Sequence, residues 1–162
     1  MVIFLGLICW LIIKAIKPEI LPKGAPIPEL KYFDAKGVQI LKPDSAKNTI
    51  VIFFHLECDH CMYQMDQFNS HLDEFININL IFLTTDSKQL KNNNIEQWHN
   101  ITGAKNVQWG IVDKDEFKQS FGSIATPTMF LFNKSGQLSD KFRGEVKLER
   151  IIKNLGGPER QD

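Results

Sequence analysis

Residues 49–75 read TIVIFFHLECDHCMYQMDQFNSHLDEF, and two patterns meet inside them. Thr49 to Phe54 is a continuous β-branched and aromatic run, the pattern of a central strand buried on both faces. From Met62 onward the apolar residues recur every three or four positions, through Met65, Phe68, Leu72 and Phe75, and make one face of a helix. Cys58-Asp59-His60-Cys61 stands at the junction. A cysteine at the first turn of a helix faces unsatisfied backbone N–H groups and the positive end of the helix dipole, and both favour thiolate over thiol. Cys58 is therefore the expected nucleophile. Cys61, one turn further in, reaches Cys58 to close a small ring but is more easily shielded from solvent, which is the placement of a resolving thiol.

Working outward, the whole chain has 162 residues, 43% of them apolar, with 19 basic and 19 acidic side chains. That suffices for one compact domain with extensions, and it leaves no basic field for a nucleic acid partner. Only three cysteines occur. Two form the pair and Cys9 lies in the apolar N-terminus, so there is no disulfide scaffold. Without a second cysteine pair, a closed four-ligand zinc site is not expected either, and no cofactor is expected. Met62 and Met65 beside the thiols would suit Cu(I), but their stripe continues through Phe68, Leu72 and Phe75 as a core face does.

Residues 1–17 begin with an almost wholly apolar run to Ile13, closed by Lys14, Ala15, Ile16 and Lys17. At about 1.5 Å per helical residue the run covers roughly 20 Å of a hydrocarbon layer about 30 Å thick, which is short unless Ile16 and snorkelling lysines extend it. No basic residue precedes the run and no small-residue cleavage site follows it, so an uncleaved membrane anchor is expected rather than a signal peptide. Lys14, Lys17 and Lys23 follow it, and the positive-inside rule taken literally would hold the domain in the cytoplasm; basic residues upstream of the run would remove that conflict. Residues 18–23, with Pro18 and Pro22, read as a stiff tether, followed by a domain over 24–157 and a polar tail over 158–162.

Within the domain, Leu30 to Leu41 reads as a hairpin about Asp34-Ala35-Lys36-Gly37. After the dithiol come a strand over Ile78 to Leu83, a helix over Ser87 to Gly103 interrupted by Asn92-Asn93-Asn94, a strand over Val107 to Val112 and a helix over Lys114 to Phe121. In Ile124-Ala125-Thr126-Pro127-Thr128 a proline immediately precedes the apolar strand Met129 to Phe132, where a turn or a cis bond fits. Asn133-Lys134-Ser135-Gly136 is a hairpin turn, Leu138 to Phe142 its return strand, and Val146 to Leu155 a final helix. The order is that of an α/β sandwich with a mixed central sheet.

The chain resembles the thioredoxin-fold redoxins, in particular membrane-tethered thiol:disulfide oxidoreductases of the TlpA type, kin of the alkyl hydroperoxide reductase/thiol-specific antioxidant family. The resemblance runs from Gly24 to about Leu155. It rests on Gly24-Ala25-Pro26, Asp34-Ala35-Lys36-Gly37, Cys58-Asp59-His60-Cys61, Thr126-Pro127-Thr128 and Asn133-Lys134-Ser135-Gly136. It implies a thioredoxin-like three-layer sandwich, its mixed central sheet flanked by helices, with an N-terminal β-hairpin extension. It also implies a cis Pro127 against the dithiol, and strand-like pairing of the backbone around Ala125 and Thr126 with an extended substrate segment. Protein thiols and disulfides are the implied substrates, an electron donor or acceptor of unknown identity the implied redox partner, and the periplasmic side of a bacterial envelope the implied location. His60 occupies the place of the histidine in strongly oxidising periplasmic disulfide donors, where a cationic ring stabilises the first thiolate, while Asp59 and Glu57 oppose it by like-charge repulsion. The expected potential lies between those of thioredoxin, about −270 mV, and DsbA, about −120 mV.

The departures are specific. Glu57 stands at the substrate-facing rim where such proteins usually carry tryptophan, and Asp66 replaces the proline usual five residues after the second cysteine. Ile52 and Gln64 occupy the two places where relatives put a buried acid. A peroxidase motif would need proline and threonine where Val51 and His55 stand. His55, His71 and His99 are assigned no role. Two alternatives are a copper(I) carrier like those of the Sco family, which normally separate their cysteines by three residues, and a thioredoxin-like interaction module without turnover.

Overall fold

The computed structural model describes residues 19–91 and 95–156; the apolar segment 1–17, Pro18, Asn92-Asn93-Asn94, Gly157 and the tail 158–162 lie outside them. The elements are β1 (Lys31–Asp34), β2 (Gly37–Ile40), β3 (Asn48–Phe53), α1 (Asp59–Ser70), β4 (Ile78–Thr84), α2 (Ser87–Lys91), α3 (His99–Thr102), β5 (Val107–Ile111), α4 (Lys114–Phe121), β6 (Thr128–Phe132), β7 (Leu138–Arg143) and α5 (Leu148–Asn154). The strands form one seven-stranded sheet in the order β2-β1-β5-β4-β3-β6-β7. β3 runs parallel to β4 and β4 parallel to β5, while β6 is antiparallel to β3 and β7 to β6.

The continuous apolar runs are explained by burial on both faces. Ile50 and Ile52 of β3, Leu80 and Phe82 of β4, and Met129 and Leu131 of β6 pack with Met65 and Phe68 of α1 and Ile151 of α5. Their alternates Val51, Phe53, Ile81, Leu83, Phe130 and Phe132 pack on the other side with Phe117 and Phe121 of α4. With side chains alternating every residue, neither face of these strands meets water, so no polar position interrupts the run. On the α4 side the core is aromatic: Phe117 stacks on Phe53 at 4.2 Å and on Phe121 at 4.6 Å between ring centroids. α4 is set by its ends. Asp113 accepts hydrogen bonds from the Asp115 and Glu116 backbone N–H groups at the N-cap, and Gly122 closes the helix in the left-handed conformation at φ 77°.

Two of the expected helices are shorter than their apolar periodicity. α1 ends at Ser70 because His71 leaves the helical region, and a 3-10 turn over Leu72–Phe75 keeps Phe75 on the inner face. The segment expected as one helix from Ser87 to Gly103 is instead α2, a 3-10 turn over Glu96–Trp98, and α3. Trp98 is buried there, and its indole N–H donates to Asp66 of α1 at 2.6 Å. Asp66, the departure from proline, thus anchors this segment. Part of the expected tether is packed on the domain: Leu21 is buried with the α4-side core, and Glu19 is ion-paired with Lys141.

The N-terminal hairpin joins the sheet at β5 through Phe33 opposite Ile111. It closes there because Gly110 has no side chain: a Cβ at that position would lie 2.3 Å from the Tyr32 ring and 3.1 Å from Leu83. Tyr32 is buried and donates its hydroxyl hydrogen to Gln108. Gly110→Ala is therefore expected to destabilise the domain by about 1–3 kcal/mol through overpacking. Gly103→Ala, whose Cβ would meet only the His99 carbonyl at 3.4 Å, should stay within about 0.5 kcal/mol of wild type. Urea titration of both variants checks the pair.

Candidate redox site

The chain leaves the sheet after Phe54, whose N–H bonds the Leu83 carbonyl at 3.0 Å. A turn closed by the Cys58 N–H on the His55 carbonyl at 3.2 Å then sets Cys58 in extended conformation at the N-cap of α1. Its carbonyl takes the first helical bonds, from the Cys61 and Met62 N–H groups at 2.9 and 3.0 Å. The strand-to-helix handover read from the sequence is thus the local geometry of the dithiol.

Both cysteines are free thiols in different surroundings. Cys58 is half-buried, and its Sγ lies 3.6 Å from the Thr126 carbonyl. Cys61 is 1% exposed, packs in the α1-side core, and accepts the His55 backbone N–H at 3.5 Å. For Cys58, partial burial opposes ionisation, but hydrogen bonds from the Cys61 thiol and N–H, from Thr126 and from the His60 N–H outweigh it, so its thiol ionises below the ordinary value. For Cys61, burial dominates and pushes the thiol up to about 12. The pair is thus an outer sulfur biased toward its thiolate beside an inner one held protonated.

The Thr126–Pro127 peptide bond is cis, and Pro127 is buried beside the dithiol loop. Ala125 is exposed, but its N–H donates to the Ser123 hydroxyl at 3.2 Å and its carbonyl accepts from the Thr128 hydroxyl at 2.7 Å. On this loop it is the Thr126 carbonyl that meets Cys58. Glu57 is exposed at the rim, with its N–H on His55 Nδ1 at 3.2 Å. His60 is exposed, and its Nδ1–H donates to Glu145 at 2.9 Å. Gln64, where relatives carry an acid, is 1% exposed; its carbonyl oxygen accepts the Val146 N–H at 2.8 Å and its amide nitrogen has no partner. Glu145 and Val146 were not read from the sequence as part of this site, since nothing local links them to a motif more than eighty residues upstream.

Among the described residues no group of three or more His, Cys, Asp or Glu comes together that could hold a metal ion, and no helix is long and apolar enough to cross a membrane. An open cavity of about 850 Å³ lies at the other end of the sheet, by Lys47, Asn79 and Asn106 at the starts of the parallel strands. It contains no thiol, and the Asn106 amide there is spent on the Phe75 and Ile78 carbonyls. The dithiol lies outside this cavity.

A seven-stranded mixed sheet between helices, with a Cys-x-x-Cys pair at the start of α1 and a cis proline on the facing loop, defines a thioredoxin-like fold. Residues 36–156 match the family model described as a thioredoxin-like domain, and the chain belongs to that family. No curated protein sequence matches it. Among solved structures, the chain is similar to a thiol:disulfide interchange protein from Bacteroides sp., at 20% identity and TM-score 0.61 over 85% of this chain and 93% of that one. A peroxiredoxin-like protein from Aquifex aeolicus aligns at 14% identity and TM-score 0.68 over 87% and 89%. StoA from Bacillus subtilis aligns at 18% identity and TM-score 0.58 over 79% and 96%. At these identities the likeness is one of fold.

Only the thiolate attacks an alkylating agent, so the pKa difference sets an order of reaction. Of the pair, iodoacetamide is expected to label Cys58 and not Cys61 in the native protein, with a rate that reaches half its maximum below the pH of an ordinary thiol. Cys61 should stay unlabelled to at least pH 9. Equal labelling of the two in a pH series read by mass spectrometry would refute this asymmetry.

Proposed function

We propose that the chain is a thiol:disulfide oxidoreductase that exchanges disulfides with polypeptide substrates through Cys58 and Cys61. The observation that carries this is the asymmetry of the two sulfurs: an accessible one with its thiolate stabilised, and a buried one held protonated beside it. In the reducing direction the Cys58 thiolate attacks one sulfur of a substrate disulfide, forming a mixed disulfide and expelling the other sulfur as a thiolate. Cys61 gives up its proton and attacks the Cys58 sulfur, closing the Cys58–Cys61 disulfide and releasing the second substrate thiol. Two electrons and two protons pass to the substrate; a partner dithiol restores the pair. The oxidising direction is the reverse of these steps.

The substrate segment lies along the Pro127 loop in this reading. Because both backbone groups of Ala125 are engaged, Thr126 supplies the main-chain pairing and Ala125 and Glu57 form the rim. The apolar segment 1–17 tethers the domain to a bacterial envelope membrane on its periplasmic side; its composition and the resemblance to tethered redoxins support this.

Two experiments test the reading. Equilibration of the full chain with glutathione buffers should give a two-electron couple between about −270 and −120 mV, and Cys61→Ser should accumulate mixed disulfides through Cys58 that Cys58→Ser does not. Absence of any couple would refute the oxidoreductase assignment. For the tether, the full chain is expected to stay with membranes through an alkaline wash, and a chain lacking residues 1–17 to be released.

A further inference from the structure

Three consecutive residues between β7 and α5 hold the redox site from one side. The Gly144 N–H bonds the Pro127 carbonyl at 2.8 Å, the Glu145 carboxylate takes the His60 Nδ1–H at 2.9 Å, and the Val146 N–H bonds the buried Gln64 side chain at 2.8 Å. His60 and Gln64 lie one turn apart on α1, on either side of Cys61 in sequence. The segment therefore ties the Pro127 loop to the first two turns of α1. The outer two ties use backbone N–H groups and neutral acceptors, and only the middle one carries charge.

We propose that Glu145 is a positioning residue for the redox couple: it holds the His60 ring and adds a negative charge at the first turn of α1, whose N-cap is Cys58, shifting the equilibrium toward the disulfide. This deepens the oxidoreductase reading and rests on it. The sign follows from charge alone. In any fixed protonation state of His60, replacing the carboxylate by an amide makes the surroundings of Cys58 more positive by one unit. A more positive environment stabilises the Cys58 thiolate, and a stabilised thiolate favours the reduced form. The His60 and Glu145 side chains are 70% and 45% exposed, so the effect is modest and screened by salt. The substitution Glu145→Gln keeps the size of the side chain and an acceptor for His60, and it leaves the backbone ties of Gly144 and Val146 untouched.

The test is a double-mutant cycle on the full chain. The equilibrium of the Cys58–Cys61 couple with glutathione is measured at pH 8 for wild type, Glu145→Gln, His60→Gln and the double variant, at low salt and at 1 M salt. Glu145→Gln is expected to shift the equilibrium about threefold to tenfold toward the dithiol at low salt, about 14 to 30 mV, and much less at 1 M salt. In the His60→Gln background, where nothing holds the carboxylate beside α1, the same substitution should shift it less than half as much. A normal wild-type couple left within about 1.5-fold by Glu145→Gln at low salt would overturn the proposal and leave the oxidoreductase reading intact. A full shift in the His60→Gln background would overturn the action through His60. A wild-type chain without a couple would overturn both readings together.

Discussion

Burial of β3 on both faces is the constraint from which the rest follows. A strand between two layers tolerates polar side chains only at its ends, as at Thr49, Thr84 and Thr128, so Ile50 to Phe54 is apolar throughout. The dithiol is placed where the chain leaves the sheet. Cys58 inherits a fixed position from the rigid strand behind it and exposed helix N–H groups from α1 ahead of it. Each of the two layers contributes: α1 and α5 cover one face of β3 and α4 the other, so the strand end carrying the thiols is held from both sides.

The site works by difference between two sulfurs of identical chemistry. A shift of one pKa unit corresponds to about 1.4 kcal/mol between protonation states. The environments of Cys58 and Cys61 drive their thiols in opposite directions, Cys58 toward the thiolate and Cys61 toward the protonated thiol. Cys61 is one helical turn deeper, and that single turn separates a half-buried sulfur from one sealed in the core. The side chains of Glu57, Asp59, His60 and Glu145 lie at the surface, outside the packing that creates the asymmetry.

The departures from the family pattern have local explanations. Asp66 fills the place of a proline because its carboxylate holds the Trp98 indole, and Trp98 fills the α1-side core below the short helices before β5. Gln64 fills the place of an acid, and its amide oxygen accepts the Val146 N–H.

Much of the fold was legible because its signals are periodic and local. The two-sided strands show as apolar runs, the faces of α1 and α4 as three-and-four spacings, and the turns as Asp34 to Gly37 and Asn133 to Gly136; the Cys58–Cys61 pair declares itself by spacing. Helix lengths were less legible: the stripe through Leu72 and Phe75 continues across a break at His71, because a 3-10 turn keeps the same face inward. What the sequence by itself determined is the class of fold, the identity of the two thiols and which of them stands at the helix start, since these depend on burial pattern and on positions three residues apart. Only the tertiary structure decided that Gly144, Glu145 and Val146 close on Pro127, His60 and Gln64, and that Gly110 makes room for Tyr32. Those contacts join residues 17 to 85 positions apart, and hydrogen bonds and van der Waals contact act only between atoms that folding has already brought within a few ångströms.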